Sequence, residues 1–136
     1  EWIDLKSAVT CQLISPFANT LNSKRDKRNV VFDDYKIPLG IGMQLPKGFE
    51  AIIAPRSSTP KYFGVLCANS IGVVDNAFRG NDDVWKFPAF VFGSKSIKPG
   101  DRICQFRIVE KQPMIEFNVV SHLDNENRGG FGSSGR

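Results

Sequence analysis

DRICQFRIVEK, residues 101–111, is the stretch that decides the class of fold. Cys104, Phe106 and Ile108 fall on one side of it, alternating with Gln105 and Arg107 on the other. A period of two is the repeat of a half-buried strand, because successive side chains of extended backbone point to opposite faces. Cys104 on the apolar side reads as a small buried hydrophobe. Upstream, KPGD at Lys98–Asp101 has the composition of a tight turn, as does PKG at Pro46–Gly48. The same texture continues in both directions. VTCQLI (9–14), YKIPLGIGMQL (35–45), FEAIIAPR (49–56), FGVLCANSIGVVD (63–75), WKFPAFVFG (85–93) and MIEFNVV (114–120) are short, rich in Val, Ile and Phe, and punctuated by Gly, Pro, Asn or Asp. No window of helical length carries a period of 3.6. The pattern predicts an all-β sandwich, jelly roll or barrel.

The 136 residues suffice for one domain with one core, and 41% apolar with 24% charged residues is an ordinary globular balance. A formal net charge of +4 is too modest to point to nucleic acid, and the basic run KRDKR (24–28) reads as a solvated loop. No apolar run is long enough for a membrane-crossing helix and no signal peptide is visible, so neither a membrane nor a nucleic-acid partner is expected. Three dispersed cysteines (Cys11, Cys67 and Cys104) and the single His122 give no zinc or redox spacing, and fit a reducing, cytoplasmic setting.

Two regions break the strand rhythm. Residues 15–34, SPFANTLNSKRDKRNVVFDD, are polar and long and read as a surface loop; this loop is a candidate for contact with a protein partner. Residues 124–136, DNENRGGFGSSGR, have the Gly, Ser and Asn content of a flexible terminus. One aromatic, Phe131, lies among its glycines and serines, a composition that suits a segment ordering over a phosphorylated nucleotide. The expected organisation is a β-rich core, 1–123, followed by a C-terminal arm, 124–136.

The stretch NSIGVVDNAFRGND, residues 69–82, carries the chemistry. An apolar run ends on a single carboxylate, Asp75, with Phe78 three places on and an Arg-Gly turn behind it. Alone, Asp75 reads more readily as a turn-capping residue. In sequence order, however, WIDLKSA (2–8), PRSST (55–59), NSIGVVDNAFRGND, GDRICQF (100–106) and RGGFGSSG (128–135) resemble the five motifs of the homotrimeric dUTPase family. The PRSST and shortened RGG forms are those of dUTPases from Bacillus and its phages.

The resemblance implies a jelly-roll-like fold and a homotrimer whose sites are shared between subunits. The implied reaction is Mg²⁺-dependent hydrolysis of dUTP to dUMP and pyrophosphate in a bacterial or phage-infected cell. By the same resemblance Asp75 is the catalytic base for a water attacking the α-phosphorus, a role worth about 10²–10⁴-fold. Phe78 packs on the deoxyribose and excludes a 2′-hydroxyl. Asn69 belongs to the hairpin leading into Asp75, whose backbone reads uracil. Arg56, Ser57 and Ser58 meet phosphate oxygens, with Ser58 where the family commonly has Gly, and Gln105 is a neutral phosphate donor. Asp4 holds Mg²⁺ through its water shell. Arg128, Phe131, Ser133 and Ser134 close over the nucleotide, Phe131 on the base and the others on the γ-phosphate, with Arg136 as an alternative to Arg128.

Two other readings compete. A dCTP deaminase shares the fold and an Arg-Ser-Ser motif, but carries its catalytic Glu about ten positions beyond the Asp of the third motif. Trp85 stands in that neighbourhood, and Lys61 and Tyr62 occupy the area where its second Arg is expected. A non-catalytic structural or regulatory trimer of the same fold is the third reading. It would not need Asp75, Gln105 and the fifth motif.

Overall fold

Nine strands and one turn of helix make up the regular structure of residues 1–15, 35–127 and 129, those described by the computed structural model. In chain order they are β1 (Ile3–Lys6), β2 (Cys11–Leu13), β3 (Tyr35–Pro38), β4 (Phe49–Pro55), α1 (Thr59–Phe63), β5 (Val65–Cys67), β6 (Gly72–Val74), β7 (Lys86–Val91), β8 (Lys95–Ile97) and β9 (Arg102–Glu110). All pairings are antiparallel, in sheets ordered β1-β9-β4-β6, β2-β8 and β3-β7-β5. The all-β architecture predicted by the alternating pattern is the one observed.

The DRICQF segment sits at the centre of the largest sheet. β9 pairs with β1 on one side and β4 on the other, so Gln105 lies opposite both Asp4 and Ala54. The turn before it closes as its composition predicts: Asp101 N donates to Lys98 O at 3.1 Å, and Asp101 Oδ2 accepts from Lys98 N at 2.8 Å. At Pro46–Gly48, Phe49 N donates to Pro46 O at 3.2 Å.

Leu5, Ile53 and Phe106 of the four-stranded sheet join Val65, Phe87 and Val91 of the three-stranded sheet in one buried cluster. Each such side chain contributes about 1.5–3 kcal/mol by leaving water. Trp85 belongs to the same cluster and meets Phe106 edge-on, with ring centroids 5.4 Å apart. Cys104 is fully buried, as its place in the alternation predicts. Burial pushes its thiol up to about 12, with the nearby Cys67 and Asp4 adding to the shift. Ile108, expected on the same buried face, is 44% exposed instead, because the cluster ends before this end of β9.

Sequence periodicity is blind to α1, since five residues are too few to show a repeat of 3.6. Its punctuation was nonetheless present: Ser58 at the N-cap, Pro60 in the first turn and Gly64 at the C-terminal end. Gly64 has φ +62°, and its carbonyl accepts from both Phe92 N and Gly93 N. A Cβ on Gly64 would lie 2.8 Å from Gly93 Cα. Gly64→Ala therefore combines a left-handed backbone with a backbone clash and should cost about 2–4 kcal/mol. Urea denaturation measures it, and an unchanged midpoint would mean that the 93 segment yields at no cost.

Two expectations are corrected. FGVLCANSIGVVD does not fold into a hairpin of mutually paired strands: β5 pairs with β7 and β6 with β4, in different sheets. The turn between them, with Ser70 N bonded to Cys67 O at 3.0 Å and Ser70 at φ +65°, passes the chain from one sheet to the other. MIEFNVV forms no strand, and Met114, Phe117 and Val119 are 94%, 88% and 94% exposed. Among the described strands none pairs with it, and a strand without a partner has no ladder to hold it. Residues 16–34 of the polar loop lie outside the described residues.

Candidate active site

β6 ends at Val74, and the loop that begins with Asp75 is held by two carboxylates. Asp75 Oδ1 accepts from Ala77 N at 2.7 Å and Phe78 N at 3.3 Å. Asp83 Oδ2 accepts from Gly80 N at 2.6 Å and shapes the Arg-Gly turn. Lys111 Nζ donates to Asn76 Oδ1 at 3.1 Å and ties the turn to the end of β9. The turn-capping reading of Asp75 is therefore correct, and it leaves the second oxygen available. Oδ2 has no partner among the described residues, and the carboxylate is exposed.

Asp75 lines a cavity of about 860 Å³, within the size range of small-molecule sites. Asn69, Asp75 and Phe78 line it together. Phe78 is 41% exposed, a ring standing in solvent rather than packed in the core. Asn69 Oδ1 accepts from the Cys67 thiol at 3.0 Å, which fixes the amide at the turn. Lys36, Lys86 and Trp85 also line the cavity, and the motif-based reading gave none of them a binding role. Trp85, at the position where a deaminase would need an acid, is 1% exposed and a core ring.

A second group forms where β1, β9 and β4 run side by side. Arg56 Nε pairs with Asp4 Oδ1 at 2.8 Å, and Arg102 Nη1 with Asp4 Oδ2 at 3.2 Å. Gln105 Nε2 donates to Pro55 O at 3.4 Å, one residue before Arg56. Ser57 is exposed beside Arg56, while Ser58 caps α1 without a side-chain hydrogen bond. The arrangement suits an anion: Nε of Arg56 is committed to Asp4, which orients a guanidinium whose side chain is 26% exposed. Arg102 was missed, although it lies within the fragment that carries Gln105.

No group of three or more His, Cys, Asp or Glu side chains converges among the described residues, so none makes a protein cage for a metal. Asp4 remains 31% exposed, with one guanidinium on each oxygen among the described residues, and a carboxylate has further lone pairs beyond those two. Those donors fit a hydrated Mg²⁺ delivered by a polyphosphate, which such an ion prefers to an all-protein site.

The two groups do not meet within one chain. Asp75 follows Val74, which lies opposite Ala51 near the start of β4, whereas Arg56 follows its last residue, Pro55. At ~3.3 Å per residue, the length of β4 separates them by roughly 20 Å. Arg128, Phe131, Ser133, Ser134 and Arg136 lie outside the described residues.

Comparison with known proteins adds a family match, a relative and two solved structures. The dUTPase family pattern matches residues 21–135. A SPβ prophage-derived deoxyuridine 5′-triphosphate nucleotidohydrolase of Bacillus subtilis is 44% identical over 99% of this chain and 84% of its own length. Among solved structures, the dUTPase of Streptococcus mutans superposes with a TM-score of 0.64 over 83% of this chain and 80% of its own, at 18% identity. A mutant dUTPase of S. aureus phage phi11, solved with a structural Mg(II) ion, gives 0.60 over 89% and 83%, at 15% identity.

Proposed function

The chain belongs to the dUTPase family, and from that premise we propose that it hydrolyses dUTP to dUMP and pyrophosphate with Asp75 as the general base. The observation that carries the assignment of the base is the division of labour within one carboxylate. Oδ1 is held by two backbone amides, so Oδ2 is fixed in direction, without a partner among the described residues, on a side chain that lines the cavity. Water placed there loses a proton to Oδ2 as its oxygen bonds to the α-phosphorus. The bond from that phosphorus to the bridging oxygen breaks, and pyrophosphate leaves.

The remaining roles follow from residue chemistry. Asn69 and the neighbouring backbone select uracil, and the Phe78 ring closes the space a 2′-hydroxyl would need. Arg56, Ser57, Ser58 and Gln105 donate to phosphate oxygens, where charge accumulates as pyrophosphate departs; a fixed donor there lowers the barrier by ~3 kcal/mol. Asp4 holds Mg²⁺ through coordinated water, and that ion, when bound, neutralises the triphosphate. Arg128, Phe131, Ser133 and Ser134 belong to the arm, 124–136, that closes over the nucleotide bound by the core, 1–123.

A homotrimer with shared sites is the assembly this reading requires. The Asp75 group and the Arg56 group stand too far apart in one chain to act on one triphosphate. The exposed apolar side chains of Met114, Phe117 and Val119 offer the kind of surface a neighbouring copy covers.

Incubation with dUTP, dCTP, UTP and dTTP tests the activity. Pyrophosphate and dUMP from dUTP, with little turnover of the other three, are expected. Ammonia from dCTP would replace the assignment with a deaminase, and no turnover of any nucleotide would leave a non-catalytic trimer.

A further inference from the structure

Thr59 belongs to none of the roles above, yet it is the polar side chain most completely enclosed among the described residues, at 0% exposure. Burying a hydroxyl is costly unless both its donor and acceptor capacities are used. Here they are. Thr59 Oγ1 donates to Ile103 O at 2.8 Å and accepts from Arg56 N at 3.0 Å.

Both partners lie where the backbone is irregular. Between β1 and β9 the register shifts: Leu5 faces Cys104 while Lys6 faces Arg102, which leaves Ile103 as the extra residue of a bulge. On the other side the β4 ladder ends at Pro55, opposite Cys104, and a proline offers no N–H. The hydroxyl of Thr59 thus supplies a donor to the carbonyl at the bulge. The same oxygen takes the amide of Arg56 immediately beyond the end of β4. One residue from the bulge, Arg102 pairs with Asp4; two residues on stands Gln105. Bulges next to active sites re-aim side chains.

We infer that Thr59 is a positioning residue for the phosphate side of the site: its hydroxyl pins the Arg56 loop to the β9 bulge, setting Arg56, Ser57 and Gln105 in one geometry. This rests on the dUTPase reading above. Thr59 itself does not touch substrate. Its effect falls on the groups that hold the phosphates and not on Asn69, Asp75 and Phe78, which stand at the other end of β4.

The test compares Thr59→Val, Thr59→Cys and Thr59→Ser in the full chain, well below each variant's melting temperature. Val keeps the shape and loses both hydrogen bonds; Ser keeps both; Cys offers a longer and weaker donor. Val should lower kcat for dUTP at least about tenfold, the scale of a small misplacement in a reacting site. Ser should stay within about threefold of the parent. Deoxyuridine, which has no phosphate, should inhibit all of them with the same constant. Cys should resemble Val, and it carries the comparison if Val does not fold. Equal kcat in the parent and in Val or Cys overturns the inference, as does equal loss in Ser, or deoxyuridine binding that weakens in step with kcat. A parent that does not hydrolyse dUTP sinks the functional reading instead, and is seen before any variant is compared.

Discussion

Asp75→Asn should reduce dUTP turnover by about 10²–10⁴-fold while leaving nucleotide affinity close to that of the parent. The structure makes this substitution unusually clean. Asp75 Oδ1 accepts from Ala77 N and Phe78 N, and an amide oxygen in the same place accepts the same two bonds. The turn and the Phe78 ring are then retained. What changes is the other position, where an oxygen with no described partner becomes an NH₂ group that cannot take a proton. Steady-state kinetics, together with the dissociation constant of a non-hydrolysable dUTP analogue, separate the two effects. Turnover near the parent rate would mean that another group serves as the base. Loss of affinity in proportion to turnover would mean that the carboxylate serves mainly to shape the cavity.

Mixing two dead variants should restore activity. Asp75→Asn damages the group at the start of β4, and Arg56→Ala damages the group at its end. If each site takes Asp75 from one copy and Arg56 from another, each variant alone is inactive everywhere. Random co-assembly of equal amounts then gives intact sites at about a quarter of the positions, since two independent choices must both be favourable. The measurement is the specific activity after co-refolding, with each refolded variant alone as the control. No recovery despite demonstrated mixed trimers would place both residues of a site in one subunit, and the roughly 20 Å separation would need a different explanation. Arg56→Ala also removes the partner of Asp4 at 2.8 Å, so its melting temperature should be followed in parallel.

The site residues differ in how legible they were. Asn69, Asp75 and Phe78 lie within ten positions of one another and line one cavity, so a local motif was enough to group them. Arg56 and Asp4 were assigned separately, one to phosphate and one to metal, yet they form an ion pair. Nothing in WIDLKSA or PRSST announces that contact. It comes from β9 lying between β1 and β4, which brings residues 52 positions apart to one end of a sheet. Arg102 was overlooked for the same reason: its partner lies on another strand. Thr59 carries no local signal of its importance, because a threonine acquires a role from the two backbone groups around it.

The chain's own order of residues determined the strand class, the turns at Pro46–Gly48 and Lys98–Asp101, and the chemical types gathered around Asp75. These depend on backbone geometry over a few residues, and a period of two or a Pro-Lys-Gly turn is written locally. Tertiary structure alone decided that β5 and β6 join different sheets, that Asp4 meets Arg56, and that the Asp75 and Arg56 groups lie at opposite ends of β4. Strand pairing is set by which faces bury the most apolar surface across the whole chain, and alternation within one strand holds no record of its neighbours. The exposed stretch around Phe117 follows the same logic: its pattern asks for a partner, and the described strands of a single copy do not provide one.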